Sequence, residues 1–467
     1  MMEGMKVERL MFRKSIVKHC IQIILVLIAF STVAAYGTET GTLRVGAARV
    51  DVTPAANALP TPYTSIRDHL YVRAIVLDNH VTRAVLIGVD LIVIDEALWE
   101  ETSKQIAQEL QCPVENIVMS ATHSHSSPYP EDAKTPPTPN AVAFRARLKE
   151  GIVAAVREAK AQLQPARVSF GTGAAYLNVN RDAIHPITRL WYQGPNLDGP
   201  SDKTMAVLKF ETTDGAPIAV YANYAMHAID YYEMGTLTAD FPGLTSRFVE
   251  QAYDDKVVAI WSSGAAGDQN PLYLRLHHGA RAAKAAFGKD PTGNVKQSLD
   301  QAVEALNQWV DSMGRMMSEE ILRVMDESKT DPTKKTSSDV RIWAGGKTVT
   351  CPGRTRTNTG REGAPGTYVD GEPVNIHVGV LTIGSTAFAT VNAEIYTSIA
   401  QRVKKESPIA NTVVVTLANG FANSGYIPSD EAYGHNTFQV LDTHLKPGCA
   451  ENAVVNAALD LMAESMK

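Results

Sequence analysis

Residues able to bind a metal or carry a proton follow apolar runs at five places in this chain of 467 residues. The densest is Met119-Ser120-Ala121-Thr122-His123-Ser124-His125, where Asn116 to Met119 reads as a buried strand and the polar residues begin at once. Residues two apart share a face in extended backbone, so His123 and His125 would look into one cavity at a strand end. A metal ion or a reacting carbonyl would suit that cavity, because histidine is the commonest metal ligand and titrates near neutral pH. Two solvated surface histidines would give the same pattern. Elsewhere His227 follows the run Pro217 to Met226, Gly267-Asp268 follows Val257 to Trp261, Glu394 follows Thr386 to Asn392, and Tyr426 follows Thr412 to Ala418. Ligands in open α/β sheets collect outside the carboxyl ends of strands, so these five loops could meet at one site. Two or three histidines with a carboxylate form the donor set of a catalytic zinc, which makes water a nucleophile at neutral pH and polarises a carbonyl. Each residue also has a plainer role open to it: His227 as a core histidine, Glu394 as a helix N-terminal charge, Tyr426 as an amphipathic packing residue.

The elements that must position these residues alternate between β and α patterns. Strands are expected over Leu43 to Asp51, Arg83 to Val93, Thr204 to Glu211, Pro217 to Met226, Val257 to Trp261, Val374 to Thr382, Thr386 to Asn392 and Thr412 to Ala418. Helices are expected from about Glu96 to Leu110, Ala141 to Leu163, Asp240 to Tyr253 and Glu451 to Met466. Leu272 to Ser328 reads as helical with a break at Asp290-Pro291-Thr292-Gly293, and packing is the role expected of it. Pro128 to Pro139 is too rich in proline for regular structure, and the polar, Gly-rich Lys329 to Glu372 reads as a loop with one strand near Val340 to Ala344. Hairpins and strand–helix alternation occur together, which predicts an α/β fold: a single large domain of mixed β-sheets layered with helices.

At the amino end, Lys6, Arg9, Arg13, Lys14 and Lys18 precede the uncharged run Ile21 to Phe30 and the exit Ser31-Thr32-Val33-Ala34-Ala35. This is the form of a cleavable signal peptide over residues 1–35, and the run is shorter than the roughly 20 residues of a spanning helix. A secreted or periplasmic protein is therefore expected, with at most peripheral membrane contact. A net charge of −6 without a basic stripe argues against nucleic-acid partners. Cys112, Cys351 and Cys449 remain after the signal, enough for one disulfide but with no Cys-x-x-Cys, so a metal would be held by nitrogen and oxygen.

Gly46-Ala47-Ala48-Arg49-Val50 leading into Asp51-Val52-Thr53-Pro54 is followed, in order, by Ala121 to Ser126, Asn223 to His227, Thr238 to Gly243, Gly267-Asp268, Asn392-Ala393-Glu394 and Gly425-Tyr426. This series, from about Leu43 to Met466, resembles the catalytic domain of the neutral ceramidases, secreted zinc amidases that split the N-acyl bond of ceramide into sphingosine and fatty acid. The resemblance implies residues 36–467 as a zinc hydrolase catalytic domain without the family's C-terminal β-sandwich domain. It implies His123, His227, Glu394 and Tyr426 as zinc ligands and His125 as a proton-transfer partner. Arg181, in Val179-Asn180-Arg181-Asp182, corresponds to a family arginine that faces the site; a surface ion pair is its plainer role. Three departures stand out: Asn270 where the family has serine, Phe438 where it has a substrate-contacting tyrosine although Tyr433 is near, and the missing domain. Asn270 could still hold a polar group of the substrate. The implied activity is hydrolysis of ceramide by a zinc-activated water, with Arg181 or Tyr426 stabilising the oxyanion and His125 shuttling the proton. A related hydrolase of another N-acylated or ester substrate, and an exported binding protein on the same scaffold, are the alternatives.

Overall fold

Period-two alternation along the strands sorts the apolar residues of this protein into layers. A computed structural model describes residues 40–128, 136–330, 336–358 and 362–467. The expected signal peptide and most of the Pro-rich segment lie outside the described residues. In chain order the strands used below are β1 (Arg44–Asp51), β2 (Tyr71–Asp78), β3 (Arg83–Val89), β4 (Ile117–Ala121), β5 (Gln164–Ala174), β6 (Asn178–Ile184), β7 (Trp191–Asn196), β8 (Thr204–Thr212), β9 (Pro217–Tyr224) and β10 (Val258–Ser263). They continue with β11 (Gln269–Pro271), β12 (Ile342–Arg356), β13 (Tyr368–Ile383), β14 (Thr386–Val391), β15 (Glu394–Ile395), β16 (Asn411–Thr416) and β17 (Tyr426–Ile427). The main helices are α1 (Glu96–Leu110), α2 (Pro139–Ala161), α3 (Asp240–Gln251), α4 (Arg275–Lys289), α5 (Gly293–Thr330), α6 (Thr397–Glu406) and α7 (Ala450–Ser465).

Eight strands form one mixed sheet in the order β10-β9-β8-β5-β1-β2-β3-β4, with the pairs at both edges parallel and the rest antiparallel. A second sheet, β12-β13-β14-β16, lies against it. On β2, Ile75 and Leu77 join Leu381, Phe388 and Val413 of the second sheet in one cluster, while Val72, Ala74 and Val76 on the opposite face pack with α1 and α2. β8 repeats the split, with Leu208 and Phe210 inward and Val207 toward α3 and α5. Val378 and Val380 of β13 face α6 and α7. The order is thus helices, sheet, sheet, helices, and each fully buried Leu or Phe at a layer boundary contributes about 1.5–3 kcal/mol. Gly46 of β1 permits the close seat of α2, because a Cβ there would lie 2.1 Å from the Ala159 carbonyl oxygen.

Most expected elements are present, and α1 spans the residues read for it: Asp95 caps it by accepting the Leu98 N–H at 2.9 Å. The segment read as a polar loop with one short strand is different. There β12 and β13 pair antiparallel from Ile342↔Ile383 to Arg356↔Tyr368, far beyond Val340 to Ala344. One face of that arm is largely solvent-exposed, so its residues alternate without an apolar run to announce a strand. Of the helical stretch from Leu272, α5 buries Leu306, Val310, Met313, Met317 and Ile321 against α3 and the large sheet, which is a packing role; α4 buries only His277 and Ala280.

Cys351, in β12, is bonded to Cys449, at the start of α7, across 98 residues of sequence, and Cys112 is free. Closing so long a loop restricts the unfolded chain. Reduction, or Cys351→Ala, is expected to lower unfolding free energy by about 2–4 kcal/mol, measured by urea denaturation with and without reductant.

Candidate metal centre

The strand ends deliver the site. β4 stops at Ala121, and the chain is then held beside β3 by N–H bonds from Thr122 to the Val89 carbonyl (2.9 Å) and from His123 to the Leu91 carbonyl (2.9 Å). His123 adopts φ 65°, left-handed backbone that costs an ordinary residue about 1–3 kcal/mol and is common where function fixes a side chain. The two histidines therefore meet through a turn and not through strand alternation, and their rings lie 4.6 Å apart. Asn419 braces the end of β4 from the neighbouring loop, accepting the Met119 N–H at 2.8 Å and donating to the Ile117 carbonyl at 2.9 Å. His227, beyond β9, is fixed by its N–H to the Gln269 carbonyl, and Glu394 opens β15 directly opposite Tyr426 of β17.

His123, His125 and His227 form the one His/Cys/Asp/Glu group among the described residues with metal-binding spacing, their ligand atoms all within 4.8 Å of one another. Nδ1 of His123 faces the Ile92 carbonyl at 2.8 Å, and Nδ1 of His227 faces the Gln269 carbonyl at 3.0 Å. A carbonyl can only accept, so each Nδ1 carries the proton and each Nε2 presents a lone pair. Both lone pairs meet Oε1 of Glu394, 2.7 Å from His227 and 3.3 Å from His123. The close His227–Glu394 approach is not a hydrogen bond: both atoms are buried and without a hydrogen-bond partner. Acceptors facing each other in a buried place call for a cation between them, and imidazoles braced at Nδ1 by outer carbonyls are the usual form of metal-ligating histidine. The donor set fits zinc.

Among the described residues nothing braces Nδ1 of His125. Its Nε2 lies 3.2 Å from that of His123, its ring packs edge-on to Tyr232, and it is partly exposed. Arg181 is buried, so the surface ion pair does not apply. Its Nη1 donates to Asn270 Oδ1 (3.1 Å), its Nη2 to the Gly267 carbonyl (2.7 Å), and its guanidinium lies over the Tyr426 ring at 5.5 Å with Nε unpartnered. Asn270 thus spends its oxygen on positioning Arg181. Burial pushes the Tyr426 hydroxyl above its ordinary range, with Glu394 adding to the push and Arg181 opposing it. Phe438, half-exposed, meets the Tyr426 ring at 5.8 Å, whereas Tyr433 turns its hydroxyl to the Leu445 carbonyl. Sequence reasoning missed the cluster next to Arg181 in the chain: Asp182 accepts from Tyr396 at 3.0 Å and pairs with His435 at 3.3 Å. Three residues so far apart in sequence carry no common signal. A cavity of about 1060 Å³, lined by Arg354, His377, Asn392 and Asp442 among others, opens beside the β12–β13 arm; none of the candidate ligands lines it.

Burial pushes the His227 imidazole from 6.5 down to about 4. Burial also disfavours charge on Glu394, yet the pull of a protonated imidazole at His123 or His227 outweighs it and would hold the carboxyl well below its usual value. Both shifts have the same sign: on acidification the unfolded chain takes up protons before the folded one, so stability is lost as pH falls. For His227 the loss runs from pH 6.5 to about 4 and amounts to at most about 3 kcal/mol. Denaturant titration of metal-free protein at pH 7 and pH 5 should show it, with a shallower dependence in His227→Gln.

A family model described as neutral/alkaline non-lysosomal ceramidase, N-terminal, matches residues 45–342. Over 165 residues the chain is 28% identical to neutral ceramidase A of Dictyostelium discoideum; that stretch is 32% of this chain and 22% of the relative, so it spans about a fifth of the relative's length. A solved ceramidase complexed with C2 superposes with a TM-score of 0.66 at 16% identity, covering 90% of this chain and 75% of that one. Neutral ceramidase from Pseudomonas aeruginosa superposes with a TM-score of 0.62, also at 16% identity, over 91% and 75%. The mixed α/β architecture is the one those structures have. With the family model matched over more than half its length, this chain belongs to the neutral/alkaline non-lysosomal ceramidase family.

Proposed function

We propose that this protein is an exported zinc-dependent amidohydrolase that cleaves the N-acyl bond of ceramide. The observation that carries the reading is the unpartnered Glu394 Oε1 facing two imidazoles whose lone pairs are fixed by backbone carbonyls. His123, His227 and Glu394 would hold the metal, with Tyr426, across the β15–β17 register from Glu394, as the fourth ligand. Zinc there supplies a nucleophile from water at neutral pH and a Lewis acid for the carbonyl. Arg181, locked by Asn270 and the Gly267 carbonyl, presents a fixed positive charge with an unused N–H to the oxyanion that develops on the amide carbonyl. The desolvated surroundings of its ring and the adjacent His123 and His227 imidazoles disfavour charge on His125, although its edge is partly exposed, so it can accept a proton and pass it to the leaving nitrogen. Family membership and the ceramidase neighbours support ceramide as substrate. The basic-then-apolar start and the Cys351–Cys449 disulfide support export to an oxidising compartment.

Purified zinc-loaded protein given a short-chain ceramide is expected to release sphingoid base and fatty acid in equal amounts, measured by mass spectrometry. Turnover of other N-acyl or ester compounds alone would select the related hydrolase. Zinc held without any turnover would select the binding protein.

A further inference from the structure

We propose that the turn of the β6–β7 hairpin is a membrane-docking element that seats the mouth of the site on a lipid bilayer. This rests on the lipid-amide reading above. From Ala183 to Leu197 the chain carries no acidic residue, in a protein of net charge −6, and its one full cation is Arg189. The aliphatic residues of the turn face solvent: Ile187 is 86% exposed, with Ile184 and Leu190 exposed beside it. Trp191 and Tyr192 stand behind the turn, partly buried. That order is the one a bilayer surface selects, with aliphatic side chains toward the acyl region, aromatic rings at headgroup level and a cation for phosphate.

The hairpin is joined to the candidate site through packed residues. Arg181 lies in β6 itself, and Ile184 pairs with Trp191 across the hairpin. The Trp191 ring stacks on His435 at 3.6 Å, and His435 is tied to Asp182. Three residues on, Phe438 is 47% exposed, with its ring against Tyr426. Glu362, the nearby acid, has its carboxylate engaged with the Phe438 N–H at 3.2 Å. A hairpin fixed in this way to the site wall would hold the opening against the surface that contains the substrate. A second copy is a poorer occupant, since a stable protein interface takes about 20–30 residues a side and this patch is one turn with its flanks.

The zinc-loaded exported form, residues 36–467, would be mixed with phosphatidylcholine vesicles, with and without phosphatidylglycerol, and vesicles of brominated phosphatidylcholine would read the depth of Trp191. The expected result is vesicle binding, bromine quenching that drops in Trp191→Phe, and at least a tenfold loss of binding in Ile187→Asp/Leu190→Asp but not in Val142→Asp, at an exposed position on α2. The double variant should hydrolyse a water-soluble short-chain substrate within about twofold of wild type and lose activity on vesicle-embedded substrate together with binding. Equal quenching in wild type and Trp191→Phe, equal binding by wild type and double variant, or a dimer that the double variant abolishes would overturn the proposal. Hydrolysis of neither substrate by protein that still docks through the hairpin would instead sink the amidase reading and leave docking standing.

Discussion

Glu394→Ala and His227→Ala should each remove bound zinc and activity together. In both, the metal loses a direct ligand, so affinity should fall by more than the 10–100-fold typical of an outer-sphere partner, and turnover should drop below detection. Glu394→Gln separates this from simple damage. Without metal, the wild-type protein faces Oε1 against the His227 lone pair at 2.7 Å with no donor between them. A glutamine amide can donate an N–H there, so metal-free Glu394→Gln should be at least as stable as metal-free wild type while binding no zinc. Stability is read by denaturant titration and zinc by elemental analysis. Stoichiometric zinc retained in both alanine variants would overturn the ligand assignment.

Arg181→Lys is expected to keep its zinc and lose about 10²–10³-fold in kcat, the usual cost of one preorganised oxyanion donor, with a smaller change in KM. Lysine keeps the charge but cannot reach Asn270 and the Gly267 carbonyl with one planar group, so the charge is no longer aimed. Arg181→Ala should be as slow and also less stable by about 1–3 kcal/mol, since the Asn270 oxygen and the Gly267 carbonyl lose their donor in a buried place. Steady-state kinetics on the short-chain substrate check both. An unchanged kcat in the lysine variant would remove Arg181 from the chemistry.

The candidate site was partly legible because its residues stand where apolar runs end. His123, His227, Glu394 and Tyr426 each follow a strand or open a short one, and the sheets bring those ends together. How His123 and His125 meet was not legible, since it depends on left-handed backbone at a residue that is not glycine. The cluster beside Arg181 was hidden for another reason: Asp182, Tyr396 and His435 become neighbours only when β6 packs against the chain that follows β15. In the fold, β2 was not read although Tyr71–Asp78 has all but one residue buried, because Arg73 interrupts its apolar run; Arg73 is neutralised by Asp90 and Glu250. The β12–β13 arm escaped because half its surface is wet.

In the proposed function a metal held by His123, His227 and Glu394 drives amide cleavage. Metal-free protein titrated with zinc while sphingoid-base release from a short-chain ceramide is followed tests it most directly. Binding and activity should rise together and level off at one zinc per chain. Full activity before any zinc is added, or one zinc bound tightly with no release of base, would contradict it.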